Sequence, residues 1–354
     1  MSGKIPVVVA GGSGYVAGEL LRLLVAHPGF EVVAVLSDGH VGDSIEGTFP
    51  HLAGCVGTQR FSALDSLANA LHDRPRAALV SAAPHGVSAG LIARALEVAD
   101  ATGTELSVVD LSADFRFADA DAYRMVYGHE PAAPGLLPQF LRALPEHSSA
   151  GGNLRYVAHP GCFTTAVLLA IVPLLARGLV LPRFAVSAIT GSTGSGRGLS
   201  EKTHHPARRS NVAAYSPLAH RHAPEMVAFA QEASGVTAEI DFVPLSGPQA
   251  RGIYAVVHGR LTEKAAPSSL QHALTQAYAG APFVRVAAEP PALTSVVGTN
   301  RAHLGVAAGD HSFAITVAID NLIKGAAGGG IQWLNRIYGF DETAGLMAGG
   351  LGWY

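Results

Sequence analysis

Val7-Val8-Val9-Ala10-Gly11-Gly12-Ser13-Gly14-Tyr15-Val16-Ala17-Gly18-Glu19 reads as a buried strand, a glycine-rich turn and the start of a helix. Leu20, Leu21, Leu23, Leu24 and Val25 continue it as a buried helical pattern over 18–26, and the next strand is expected over 31–36. Strand, glycine turn, helix and strand within ~30 residues form the βαβ unit that binds dinucleotides. Gly11 permits the tight turn, Gly14 lets a pyrophosphate approach the backbone, and Ala17 or Gly18 keeps the helix near the sheet. The N–H groups at Ser13, Tyr15 and Val16 and the positive helix end then suit phosphate. The spacing is Gly-x-x-Gly-x-x-Ala rather than the commoner Gly-x-Gly-x-x-Gly, so its position after the first strand carries much of the weight.

Outward from this unit, strands are expected over 6–10, 77–82 and 106–110, as in a parallel sheet covered on both faces. A looser stretch with Asp119, Asp121, Pro131, Pro134, Gly135 and Pro138 follows, and Gly151-Gly152-Asn153 closes the region. The pattern restarts with a strand over 155–158, the turn Pro160-Gly161-Cys162 and a helix over 163–177. Strands over 184–189, 238–243, 252–259 and 312–318 then dominate, with helices near 224–232 and 268–279. The expected fold class is α/β: a Rossmann-type domain over 1–158, an α+β domain over 159–318, and a segment 319–354, with a helix over 325–337, packing back on the first.

The 354 residues suit two domains and a large core. Hydrophobic residues make up 49% and charged ones 14%, which fits extensive interior or subunit contact. A net charge of −3 offers no general attraction to nucleic acid or an anionic membrane. The longest apolar run, 166–176, is about half of the ~20 residues that span a bilayer, and Pro173 interrupts it. The N-terminus lacks the basic and apolar regions of a signal peptide. Two cysteines, Cys55 and Cys162, make no disulfide framework. A soluble, cytoplasmic protein is expected.

Cys162 follows Pro160-Gly161 and opens a helix, where the dipole and unpaired N–H groups favour a thiolate. Gly161 leaves room for a substrate carbonyl, and nearby N–H groups suit an oxyanion. A lone Cys is more often core, but this setting points to a nucleophile; Cys55 has no such setting and reads as structural. His220-Arg221-His222, before Pro224-Glu225, is the densest source of an acid or base. With 16 His in the chain, any single one is an ordinary residue by default. His204-His205 with Arg208-Arg209 reads as an exposed loop, and no metal-ligand spacing stands out. A second glycine-rich loop, Gly191-Ser192-Thr193-Gly194-Ser195-Gly196-Arg197-Gly198, reads equally as a backbone nest for cofactor at Ser192 and Gly194 or as a hinge. Asp38 suits a ribose 2′-hydroxyl, whereas Ser37 beside it suits a 2′-phosphate, so these residues leave NAD and NADP open.

The chain resembles the N-acetyl-gamma-glutamyl-phosphate reductases of arginine biosynthesis nearly end to end. The family's active-site signature looks like Val157-Ala158-His159-Pro160-Gly161-Cys162-Phe163-Thr164-Thr165-Ala166, with Thr164 departing slightly. Other matches are Gly11 to Tyr15, Pro50-His51-Leu52, Pro84-His85-Gly86, Ser112-Ala113-Asp114-Phe115-Arg116 and Leu144-Pro145-Glu146. Later come His220-Arg221-His222-x-Pro224-Glu225, Arg251-Gly252-Ile253 and Asp320-Asn321-Leu322-Ile323-Lys324-Gly325. The resemblance implies a catalytic and dimerisation domain of the semialdehyde dehydrogenase type, NADP as cofactor, and a homodimer or homotetramer. It also implies attack by Cys162 on an acyl phosphate, a thioester reduced by NADPH, and His222 as acid/base. Asn321 would join the cofactor residues, and His220, Arg116, Arg197 and Arg251 would meet substrate anions.

A close relative acts on aminoadipate or glutamate carried by a small acidic carrier protein. Residues 200–215, with His204-His205-Pro206 and Arg208-Arg209, look somewhat like that branch. An aspartate-semialdehyde-type reductase is a further enzymatic reading. A non-catalytic dinucleotide sensor would need the glycine turn but has no use for an activated Cys with a paired His.

Overall fold

A computed structural model describes residues 3–149, 153–263 and 265–352. Gly151 and Gly152, expected to close the first region, lie outside the described residues. The chain divides into two compact units. The first holds Met1–Arg142, Ser149–His159 and Ala327–Met347; the second holds Ala143–Ser148, Pro160–Ala326 and Ala348–Tyr354. The expected boundaries thus shift: residues 143–148, 319–326 and 348–354 group with the second unit, while His159 and 327–347 group with the first.

The first unit is built on strands β1 (Ile5–Ala10), β2 (Phe30–Leu36), β3 (Arg76–Ser81), β4 (Glu105–Asp110), β5 (Leu141–Arg142) and β6 (Tyr156–Ala158). They lie in the order β2-β1-β3-β4-β6-β5, all parallel. Parallel neighbours require crossovers, and helices Tyr15–Val25 and Ser88–Thr102 supply two of them. Helix Ser88–Thr102 was not expected from the sequence. Its buried stripe is mostly alanine (Ala89, Ile92, Ala95, Ala99), and Gly103 ends it at φ +69°. β1 is buried at every residue, as both-face coverage demands. A further helix, Ala120–Tyr127, lies in the stretch read as loose; Asp119 caps it by accepting from Ala122 N at 2.8 Å.

The second unit carries a mixed sheet of β7 (Val180–Thr190), β8 (Ala213–Ala214), β9 (Glu239–Ser246), β10 (Ile253–Leu261), β11 (Val284–Ala287), β12 (Ala302–Ala308) and β13 (Ser312–Ile319). Its order is β11-β12-β13-β10-β7-β9-β8. β10 pairs antiparallel with both β7 and β13, and Val257, Ala255 and Ile253 point their side chains into one core. Helices Cys162–Ala176 and His222–Ser234 belong to this core. The first is buried from Phe163 to Leu175, so truncating one of its leucines to alanine should cost about 2–5 kcal/mol. Pro173 sits inside it, and a proline cannot donate to the carbonyl four residues back. Tyr278 supplies that bond instead: its hydroxyl donates to Leu169 O at 2.8 Å. The helix therefore stays continuous through the proline.

Candidate active site

In the first unit, β1 runs into Gly11, whose φ is +73°; a Cβ there would stand 2.3 Å from Ala83 N. Only glycine fits this turn. Gly14 has open space, with nothing within 4 Å of a built Cβ, and no side chain caps the helix that starts at Tyr15. An uncapped helix start facing open space suits phosphate. The close approach expected of Gly18 to the sheet is instead to the Phe49 ring, 2.9 Å from a built Cβ. Ser37 and Ser13 hydroxyls lie 3.5 Å apart beside this turn, while Asp38 is exposed and accepts from Leu64 N at 3.4 Å. These residues fit a nicotinamide dinucleotide, with Gly11, Ser13, Gly14, Tyr15, Val16 and Ser37 gathered at one turn.

The carboxyl ends of β3 and β4 carry a buried polar network. Asp114 accepts from Gly86 N at 2.7 Å and Ala89 N at 3.0 Å, and His85 Nδ1 accepts from Ala113 N at 2.9 Å. Asp110 accepts from the hydroxyls of Ser88 and Ser112. Burial pushes its carboxyl up to about 6, against the pull of those hydroxyls. Arg116 was expected to meet a substrate anion. Its buried guanidinium instead donates to His159 O at 2.9 Å and Leu111 O at 2.8 Å, tying β4 to the chain leaving β6. On this geometry Arg116 is an anchor.

In the second unit, Cys162 is the first residue of its helix, after Gly161, which has no side-chain cap to offer. Gly161 N donates to Glu225 Oε1 at 2.6 Å, and Glu225 has no exposure. Gly325, in a π-helical turn Ile323–Ala327, lies so close that a Cβ would meet Cys162 Cβ at 2.6 Å. π-turns of this kind cluster at functional sites. Phe163, next after Cys162, packs edge-on against His220 and His222 at 5.8 and 5.9 Å between ring centroids. The two imidazoles are 4.8 Å apart. His220 Nδ1 accepts from His222 N at 3.2 Å, so the ring is neutral at that nitrogen; burial, aided by Arg221, lowers it to about 4. Tyr215 packs against His220 at 5.5 Å, and burial followed by the charge of Cys162 raises its phenol. Cys162 packs against the core of this unit, and Phe163 next to it carries the His220–His222 pair. Cys55 is exposed and not part of a core.

The second glycine-rich loop is bonded to the chain before β10. Gly191, Ser192 and Thr193 donate their N–H groups to Gly252, Gln249 and Ala250 carbonyls at 3.0 Å each, and Gly194 N donates to Gly191 O at 3.2 Å. Those amides are spent within the protein, which corrects the expectation that the Ser192 and Gly194 backbone cradles an anion. Asn321 holds the loop: its Oδ1 accepts from Gly252 N at 2.7 Å and its Nδ2 donates to Thr193 Oγ1 at 3.1 Å. That tie, rather than a cofactor contact, is its visible work. Arg251 is likewise paired, with Nε and Nη2 on buried Asp320 at 3.1 and 3.3 Å. Arg197 is exposed at the end of the loop. Sequence reasoning missed Glu225 as a partner of the Gly161 turn; its place in the His220-to-Glu225 match was the available signal.

Residues 6–147 match the family described as semialdehyde dehydrogenase, NAD binding domain, and residues 162–321 match semialdehyde dehydrogenase, dimerisation domain. The chain is 36% identical to the N-acetyl-gamma-glutamyl-phosphate reductase of Acidithiobacillus ferrooxidans, over 96% of this chain and 97% of that protein. It is 38% identical to the reductase of that name from Desulforudis audaxviator, over 98% and 99%.

The chain belongs to the N-acetyl-gamma-glutamyl-phosphate reductase family.

Among solved structures, aspartate semialdehyde dehydrogenase II of Vibrio cholerae has the same fold, with a TM-score of 0.69 at 16% identity, covering 95% of this chain and 98% of that one. Aspartate semialdehyde dehydrogenase from Candida albicans, solved with NADP, gives 0.66 at 15% identity over 92% and 96%. The architecture described above is therefore that of the semialdehyde dehydrogenases. No helix of the described residues is long and apolar enough to cross a membrane.

Proposed function

We propose that the chain reduces N-acetyl-gamma-glutamyl phosphate to N-acetylglutamate semialdehyde and phosphate, with NADPH, in arginine biosynthesis. The observation that carries this reading is Cys162 at an uncapped helix start, followed by Phe163 packed on the His220–His222 pair, within a chain of this family. Cys162 Sγ attacks the acyl carbon, and the tetrahedral oxyanion collapses with loss of phosphate to leave a thioester. Backbone N–H groups at the helix start stabilise the oxyanion. NADPH, when bound at the Gly11–Val16 turn, supplies the hydride that takes the thioester to the aldehyde level. His222, packed on Phe163 beside Cys162, is assigned to protonate the oxygen of the thiohemiacetal and to take that proton back as the thiolate leaves and the aldehyde forms. His220 presents Nε2–H as a fixed donor, because its Nδ1 already accepts from His222 N. With Arg116 and Arg251 anchored, Arg197 is the expected substrate arginine that stays in this role.

The test is phosphate-dependent reduction of NADP by N-acetylglutamate semialdehyde, the reverse reaction. Turnover with this aldehyde supports the reading, and turnover only with a carrier-linked aldehyde replaces its substrate. One observation favours that second reading: the stretch 199–218 exposes Leu199, Val212 and Leu218 beside exposed His204, His205 and Arg209, a surface suited to an acidic partner. A homodimer or homotetramer built through the second unit's sheet, and a cytoplasmic location, complete the proposal.

A further inference from the structure

Lys324 carries its ammonium in the interior of the second unit, with no side-chain exposure. Its Nζ lies 2.5 Å from Glu146 Oε1, and the Glu146 side chain is only 1% exposed. A buried ion pair often adds no net stability over an apolar pair of the same volume, because both charges must leave water. It does hold two segments of chain at one distance.

Both ends of this pair lead to Cys162. On one side, Lys324 precedes Gly325 in the π-turn Ile323–Ala327. A Cβ at Gly325 would stand 2.6 Å from Cys162 Cβ and 3.0 Å from its Cα, so the turn lies directly on the nucleophile's backbone. Asp320 fixes the start of the turn, accepting from Leu322 N at 2.8 Å and Ile323 N at 3.1 Å. On the other side, Glu146 shares the short turn Pro145–His147 with His147. The Tyr278 hydroxyl gives its one proton to Leu169 O at 2.8 Å, so it accepts from His147 Nε2 at 2.9 Å. Leu169 lies in the helix that Cys162 begins. The contacts thus close a ring, from Cys162 through the ion pair and Tyr278 back to its own helix, wholly within the second unit.

We propose that Lys324 is a positioning residue for Cys162: its ion pair with Glu146 closes the ring that keeps the Gly325 turn against the nucleophile. The inference rests on the reading of Cys162 as the nucleophile. With the ring closed, the thiol stays at the helix start, where the dipole and unpaired N–H groups favour its thiolate. With the ring open, the turn backs away and the thiol drifts from that place.

The test follows alkylation of the Cys162 peptide by iodoacetamide across pH in the full-length protein, by mass spectrometry, with exposed Cys55 as internal reference. Glu146→Leu combined with Lys324→Met removes both charges and strands neither, so the net charge is unchanged and the fold should hold. Its profile for Cys162 should move up by about one pH unit, which lowers the rate at about pH 7 roughly tenfold while Cys55 reacts as before. Tyr278→Phe opens the same ring at another bond by losing one oxygen, and reads out even where the double variant unfolds. Its Cys162 rate should fall about threefold. A folded double variant with the wild-type profile, even at a lowered Tm, marks a merely structural pair and overturns the assignment. A wild-type Cys162 rate in Tyr278→Phe overturns it too. No substrate enters this readout, so its failure is distinct from failure of the proposed reaction.

Discussion

Gly161 donates its backbone N–H to Oε1 of Glu225 at 2.6 Å, joining the turn before Cys162 to a helix 64 residues along the chain. The carboxylate is fully buried, so the bond is made away from water. Replacing Glu225 by Ala would strand the Gly161 N–H, a loss of about 1–3 kcal/mol. Glu225→Gln keeps an acceptor at the same place and should retain most of that stability. Urea unfolding of the two variants measures the difference.

Gly325 sets how closely the π-turn can approach Cys162. Gly325→Ala would put a methyl 2.6 Å from Cys162 Cβ, and one of the two must move. A displacement of about 1 Å at a reacting atom can lower turnover on the order of a hundredfold. The expected result is a kcat lowered to that extent with a circular dichroism spectrum like the wild type's.

Gly11 and Gly14 should respond differently to the same substitution. Gly11→Ala meets Ala83 N at 2.3 Å with φ at +73°, so it destabilises the first unit. Gly14→Ala meets nothing within 4 Å, and its φ of −82° suits any residue. Its methyl occupies space left for phosphate, so the KM for NADPH should rise while the Tm holds. A Tm that falls equally in both would remove this distinction.

His147 is half-buried with its Nδ1 enclosed, and desolvation lowers its imidazole from 6.5 to about 4, partly opposed by the charge of Glu146. Its Nε2 meets the Tyr278 hydroxyl at 2.9 Å. A folded value below the unfolded one means that the unfolded chain binds the proton more readily. The stability this group contributes is therefore complete above about pH 6.5 and is lost as pH falls toward about 4. His147→Gln should make stability less dependent on pH across that window, measured as urea midpoints at its two ends.

Much of this was legible in the sequence because local rules decide it. β1, the Gly11–Val16 turn and the Cys162 helix announce themselves through apolar runs and glycine placement. The helix Ser88–Thr102 was missed because its buried face is chiefly alanine, which carries little periodic signal. Arg208 and Arg209 are adjacent and chemically alike, and only the turn around them decides that one is buried. The loop at Gly191 showed the glycines of an anion nest, yet its amides bond to carbonyls about 57 to 61 residues further on, a pairing that composition does not encode. Arg251 and Asp320 meet through β10 and β13, again beyond the reach of spacing.

The most direct measurement is the intact mass of the enzyme quenched after mixing with N-acetyl-gamma-glutamyl phosphate in the absence of NADPH. The account predicts one N-acetylglutamyl adduct per chain, carried by the peptide containing Cys162 and absent from Cys162→Ser. No adduct on Cys162, with turnover retained in Cys162→Ser, would contradict it.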